Sequence, residues 1–512
     1  MPKVALHVPM FNEPPEVVLA SLRTLVNLDY PKSRTFIMVI DDSTQDELSA
    51  PVKAFCDANG IVYLRRPDRR GYKAGALNDA LKHTPSDVDL ITIIDADYQV
   101  APEYLRETVG YFADPDLGWV QTPQEYRNRH QSFLSEQYYL ADQYFYKTVL
   151  PSRNEENTII FCGTMGLIRR ESLLDAGAWG EDFLCEDAEI SVRLLGRGWN
   201  ALYVDRIVYG RGLIPATYDG YKKQLYRWAF GGGQLLRRRL PYVLFGPYSR
   251  RQAFDYFVGS VHWIEGLFIL TIAMTLLGVG VMDLFGRAVI THHGQEVLLI
   301  GLVPLFLLVD GLSRLHMAMR RNVRMSMRST IRVLGMWYSV KFSNARGALK
   351  GLLGVKMAFL RTPKGPSHRV GKLEAMGRAI RLTTFETTIT LAIIAVTILI
   401  GLKTAVYGLA PGERVESKVF LQVWLLYYAL IFGSAPYYAY KSFTTFKPDP
   451  TTTLPVPKPA SSSLDSVVAA AEEIGPAPQP TVAELGPLVP TVVAEVAPPP
   501  SIEVAADPGQ RL

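Results

Sequence analysis

Short apolar runs alternate with helical patterns along the first part of the chain. Residues 3–9, 35–41, 61–64 and 90–95 are β-branched or apolar, and Glu16–Leu28 and Ala74–Leu81 between them carry helical spacing. Strand alternating with helix predicts an α/β domain with a mostly parallel sheet and helices on both faces. Ligands of such sheets bind beyond the carboxyl ends of the strands. Two runs end there on an acid: Phe36–Ile40 leads into Asp41, and Leu90–Ile94 into Asp95. Either acid alone fits a turn or helix N-cap as well as a site. Two in one crevice point to a site.

From about residue 255 the pattern changes. Residues 255–282, 296–313, 383–402 and 419–440 are long apolar runs. At about 1.5 Å per residue each can cross an apolar core of about 30 Å, which predicts an α-helical transmembrane domain. Glu265 and Asp310 interrupt two of these runs and are expected to face other helices or a cavity rather than lipid. In 325–381, Ile331, Leu334, Trp337 and Val340 recur every three residues against Arg328, Arg332, Lys341 and Arg346. That spacing fits amphipathic helices lying on the membrane, and a fifth short span is the competing reading. The expected division is a catalytic region at 1–245, a membrane region at 246–446 and a disordered Pro- and Ala-rich tail at 447–512.

Charge refines this picture. Over 512 residues the formal net charge is only +5, but Arg and Lys cluster at 237–251, 314–332 and 361–381 beside the apolar runs. Clusters so placed obey the positive-inside rule. They predict a multi-pass protein of the inner (plasma) membrane, with both termini and the acidic motifs cytoplasmic. No zinc, helix-turn-helix or RNA-binding signature accompanies them, so nucleic acid is not an expected partner. Cys56, Cys162 and Cys185 form no CxxC pair and no metal-ligand spacing, which fits a reduced compartment. The opening, Lys3-Val4-Ala5-Leu6-His7-Val8-Pro9, is a strand pattern rather than a signal peptide.

The candidate chemistry lies in five motifs. Asp95-Ala96-Asp97 sets two carboxylates two residues apart just past a strand, suited to a divalent cation that neutralises a leaving diphosphate. Asp41-Asp42 would meet the nucleoside. Lys73, in Gly71-Tyr72-Lys73-Ala74-Gly75, is either a phosphate contact at a helix start or an ordinary surface lysine. In Cys185-Glu186-Asp187 the candidate general base is Asp187, with Glu186 beside it; an acid opening a helix is the compatible alternative. Gln224, Arg227 and Trp228 share one helical patch. They fit a sugar-stacking, diphosphate-neutralising surface, or a Trp-Arg pair of the membrane belt.

Together these residues resemble the processive, membrane-embedded family 2 glycosyltransferases, the cellulose synthase and related β-glycan synthases. That family's D, DxD, TED and QxxRW motifs correspond to Asp41-Asp42, Asp95-Ala96-Asp97, Cys185-Glu186-Asp187 and Gln224 to Trp228. Phe11-Asn12-Glu13-Pro14, Lys73-Ala74-Gly75-Ala76-Leu77-Asn78, Val120 to Gln124 and Phe161-Cys162-Gly163-Thr164 extend the match over roughly residues 3–440. Phe359-Leu360-Arg361-Thr362-Pro363-Lys364 resembles the gating-loop motif. The resemblance implies a GT-A domain, a UDP-sugar donor, Mg2+ or Mn2+, inversion, and export of a growing glycan, most simply a glucan from UDP-glucose. It implies donor contacts at Asn12, Glu13, Asp41, Asp42, Lys73, Asp95, Thr362 and Lys364, and metal ligation by Asp97 and Asp95. Acceptor and diphosphate contacts fall to Cys162, Gly163, Gln224, Arg227 and Trp228.

Three departures qualify the match. Cys185 stands where the family has threonine, and Arg361 where it has valine. The chain opens at the first strand without the preceding spans many members have, so a homo-oligomer or an export partner is one way to complete a path. No cyclic-di-GMP module is visible after the membrane region. Transfer of one sugar to a lipid acceptor is the alternative enzyme reading. A silent glycan-binding scaffold and a transporter are the other classes, disfavoured by intact Asp95, Asp97 and Asp187 lying in an α/β region.

Overall fold

The computed structural model describes residues 1–287, 294–357, 369–409 and 413–447, with side chains of the second stretch described from 305. Met1–Val456 clusters as one compact unit; the other, Pro457–Leu512, lies outside the described residues, as does the expected tail beyond residue 447.

Among the described residues ten strands are present: β1 (Val4–Met10), β2 (Thr35–Asp41), β3 (Val62–Arg65), β4 (Leu90–Ile93), β5 (Gln99–Val100), β6 (Leu117–Gln121), β7 (Gln124–Tyr126), β8 (Gly166–Arg169), β9 (Asn200–Tyr203) and β10 (Gly210–Gly212). Seven form one sheet in the order β3-β2-β1-β4-β8-β6-β9, parallel except where β8 runs against β4 and β6. This is the GT-A arrangement. The four apolar runs expected as strands are β1 to β4, in mutual parallel register. Their continuous apolar character follows from burial on both faces. Val4, Leu6 and Val8 enter one core cluster, while Ala5 joins Ile91, Ile93 and Trp119 in the other.

Topology assembles the site. β1, β2 and β4 end together, so Asn12, Asp41 and Asp95 emerge at one edge. Antiparallel pairing of Ile93 with Gly166 then brings the Cys162–Thr164 loop against Asp95. The three-stranded sheet β5-β10-β7 carries Leu213 to Asp97, whose Oδ2 accepts its N–H at 2.8 Å.

Among the described residues three helices are long and apolar enough to cross a membrane: Arg250–Leu284, Thr384–Tyr407 and Val415–Thr444. The first departs from the expected uninterrupted span at 255–282. A 3₁₀ turn at His262–Ile264 divides it, and the portion before the turn docks on the sheet region through Arg153 Nε to Asp255 at 2.6 Å and through buried Tyr256. The regular run Glu265–Leu284 continues beyond it. The expected span at 296–313 falls in the helix Gly294–Val323, whose side chains to 304 are outside the described residues. Glu265 pairs with Lys341 of another helix, as its position required. Asp310 instead pairs along its own helix with Arg314 at 2.7 Å.

Two helices connect the sheet region to these long helices. Met327–Ser339 buries Thr330, Val333, Met336 and Ser339, so the expected stripe is turned by about one residue and Ile331 faces outward. Lys341–Leu353 packs a small-residue face against the helix Tyr218–Arg238.

Candidate functional site

Lys73 is the hub. It lies in the first turn of the helix Tyr72–His83, and its ammonium donates to Asp95 Oδ1 at 2.7 Å and to the Gly163 carbonyl at 3.0 Å. Glu186 Oε1 is 3.8 Å away. Asp95, Glu186 and the neighbouring Asp187 all raise the lysine's pKa, against the opposing effect of burial. The expected phosphate contact is therefore held by carboxylates. One cation among three acids leaves the cluster electron-rich, suited to a second, harder cation carried in with a diphosphate.

Asp187 opens the helix Glu186–Gly196, where its Oδ1 accepts the Ala188 N–H at 2.8 Å. Burial lifts the pKa of both Asp187 and Glu186, and Lys73 opposes it in each. Gly163 faces Asp187 so closely that a Cβ there would lie 2.6 Å from Oδ2, and its φ of +75° favours glycine independently. Gln121 fixes this loop, accepting the Cys162 N–H at 2.8 Å and donating to the Thr164 carbonyl at 3.1 Å. Thr164 Oγ1 in turn accepts the Asp95 N–H at 3.1 Å.

The Gln224–Trp228 patch lies on the helix Tyr218–Arg238, capped by Thr217. Cys185 Sγ lies 3.9 Å from the Arg227 carbonyl, so the two motifs touch directly. Gln224 accepts from Tyr138 OH at 3.2 Å, and Trp228 is half-buried.

The nucleoside side departs from expectation. Asp41 is fully buried and saturated: Oδ1 accepts the Ser43 N–H at 2.7 Å, and Oδ2 accepts Ser49 Oγ at 2.6 Å, Tyr63 OH at 2.5 Å and Arg65 at 3.3 Å. It anchors the crevice wall, and no face of the carboxylate remains exposed. Asp42 accepts both its bonds from Arg66 at 3.0 Å, and burial lifts its pKa to about 6 against that guanidinium. Asn12, at φ +54°, ties β1 to the loop after β2 through Ser43 and Thr44. Glu13 accepts the Phe11 N–H. Thr362 and Lys364 lie outside the described residues. Sequence reasoning missed Arg66, Ser49 and Tyr63, whose partners lie 8 to 24 residues away in the chain.

Among the described residues no three His, Cys, Asp or Glu side chains converge as a complete metal site. Asp95 and Asp97 would supply two oxygen ligands, and substrate phosphate would have to complete the shell.

A mostly parallel sheet whose carboxyl ends gather acids around one cation is the site of a GT-A glycosyltransferase domain. Residues 2–231, somewhat under half of the chain, match the family described as glycosyltransferase like family 2. It is 30% identical over 247 residues to the probable glucomannan 4-beta-mannosyltransferase 9 of Oryza sativa subsp. japonica, covering 47% of this chain and 46% of that one. It is 31% identical to the glucomannan 4-beta-mannosyltransferase 7 of Arabidopsis thaliana, covering 46% and 44%. The match thus spans less than half the length of either relative. The solved mannosyltransferase PcManGT from Pyrobaculum calidifontis, in complex with GDP-Man and Mn2+, superposes with a TM-score of 0.47 at 20% identity, covering 69% of this chain and 88% of that one.

Proposed function

We propose that this chain is a membrane-embedded, inverting glycosyltransferase that elongates a β-glycan from a nucleotide sugar on the cytoplasmic face. The observation that carries this reading is the direct contact between the Cys185–Asp187 motif and the Gln224–Trp228 helix, beside the Lys73–Asp95 pair. An acid placed between a donor edge and an aromatic-bearing helix suits transfer to a held saccharide.

In the proposed step the acceptor hydroxyl oxygen attacks the donor's anomeric carbon, and its proton passes to Asp187. The bond from that carbon to the diphosphate oxygen breaks, and its electron pair leaves with the nucleoside diphosphate. Attack opposite the leaving group inverts the configuration. Mg2+ or Mn2+, held by Asp95 and Asp97 together with the diphosphate, would neutralise the charge of the leaving group. Trp228 offers a stacking face for the acceptor sugar, and Arg227 a cation near the phosphates.

The relatives are named as mannosyltransferases, so an activated mannose is tested first, as GDP-mannose, with UDP-glucose beside it. Purified protein in lipid nanodiscs is incubated with each donor and Mn2+ or Mg2+, and products are digested with linkage-specific glycanases. A β-linked polymer supports the reading. A product extended by a single sugar on lipid overturns it.

A further inference from the structure

Glu189 follows Asp187 by two residues, which places it about 200° around the same helix, on the opposite side. Its carboxylate is completely buried. Two arginines from different elements hold it. Arg193, one turn on, donates Nε to Oε1 at 2.8 Å and Nη2 to Oε2 at 2.7 Å. Arg239, at the end of the Tyr218–Arg238 helix, donates Nε to Oε1 at 2.8 Å and adds Nη2 to the same oxygen. Arg193 reaches further, to the Ala176 carbonyl and, at 2.7 Å, to that of Ala178.

A second tie runs parallel. Gln234 of the Tyr218–Arg238 helix accepts the Leu184 N–H at 2.9 Å and donates to the Asp182 carbonyl at 3.1 Å. The acceptor-side helix therefore grips the base-bearing segment both before and after Asp187. Every tie is polar and directional, so each fixes register as well as proximity.

We propose that the Arg193–Glu189–Arg239 triad is a positioning device that sets the register between Asp187 and the acceptor helix, and so decides whether a saccharide or water receives the sugar. This rests on the glycan-elongation reading. In both outcomes the donor's anomeric carbon–oxygen bond breaks, a new one forms to the acceptor oxygen, and that oxygen's proton goes to Asp187. A saccharide held on the Trp228 helix meets Asp187 only if the two helices keep their register. Water moves freely to the base and does not depend on it.

The test compares wild type with Arg239→Lys and Glu189→Gln, as full chains in nanodiscs, measuring glycan formed, free sugar released and donor KM. Arg239 is 30% exposed, and lysine keeps its charge while losing the planar fork. In R239K the transfer rate is expected to fall about 10- to 100-fold, donor KM to stay within about twofold, and free sugar to rise as a share of donor consumed. E189Q follows the same direction more strongly; if it fails to fold, R239K carries the test. An unchanged ratio of glycan to free sugar in R239K overturns the triad's role while leaving the elongation reading intact. A wild type that makes no glycan overturns the elongation reading, and this inference with it.

Discussion

Asp187 gathers most of the chemistry proposed here into one carboxylate. Its neighbours are Gly163 on one side and the Lys73 charge on another. Asp187→Asn keeps the shape and removes the base, so transfer is expected to fall by about 10²–10⁴-fold while calorimetric binding of the donor's nucleoside diphosphate is retained. His7 shows a different consequence of burial. It is fully buried in β1, with Nε2 2.9 Å from Thr84 Oγ1, and burial lowers its pKa from 6.5 to about 3. The folded state thus holds fewer protons than the unfolded state between these values, and stability falls as pH falls through that window. The slope from this residue is about 1.4 kcal/mol per pH unit. His7→Gln, which can keep the hydrogen bond without titrating, is expected to flatten acid unfolding followed by tryptophan fluorescence. At this scale Asp95 and Asp187 were legible because each ends or opens a regular element. Asp41 was equally legible as an acid but not as a buried one, since Tyr63 and Arg65 reach it only across paired strands.

Helix contacts are set by missing side chains as much as by present ones. Where Tyr218–Arg238 crosses Lys341–Leu353, a Cβ on Gly233 would lie 2.0 Å from the Ala348 carbonyl oxygen, and one on Gly351 2.1 Å from that of Phe230. Both obstacles are backbone, so neither can swing aside. Gly351→Ala is expected to push the helices apart and destabilise the fold by about 1–3 kcal/mol or more. Transfer should drop with it, and the thermal midpoint in detergent measures the first effect. The strands β1 to β4 and the helices Pro15–Val26 and Tyr72–His83 followed from periodicity alone, whereas the helix Asp46–Asn59 and β5 were not anticipated. The reversed direction of β8 did not follow either, because the short run Gly166-Leu167-Ile168-Arg169 pairs equally well either way until its neighbours are known. The inward face of Met327–Ser339 was also hidden. Lipid and protein both accept apolar side chains, so a stripe alone does not say which side is packed.

Several charged residues of the described long helices are paired across elements. Lys222 of the Tyr218–Arg238 helix reaches Glu386 of Thr384–Tyr407 at 3.2 Å. Lys418 binds Asp283 and, at 2.9 Å, Glu413, while Lys403 donates to the Asp283 carbonyl, which ties the ends of all three long apolar helices. Removing one member of a buried pair leaves the others uncompensated. Lys418→Met is expected to cost about 3 kcal/mol in a detergent unfolding titration. An unchanged midpoint would show that this cluster does not hold the bundle. These pairs carry the Gln224–Trp228 helix and the long helices as one body, which the composition of any single run does not disclose.

The sequence by itself determined the alternation of strand and helix, the acids at the strand ends, the long apolar runs and the resemblance those motifs carry. Each depends on local periodicity or on residues close together in the chain. Tertiary structure decided that Asp41 is sealed, that Lys73 bridges carboxylates, and that Glu189 ties the Asp187 helix to the Gln224–Trp228 helix. Those facts depend on side chains tens of residues apart meeting in a buried, poorly screened space. There a charge must find its partner, and the fold determines which partner is within reach.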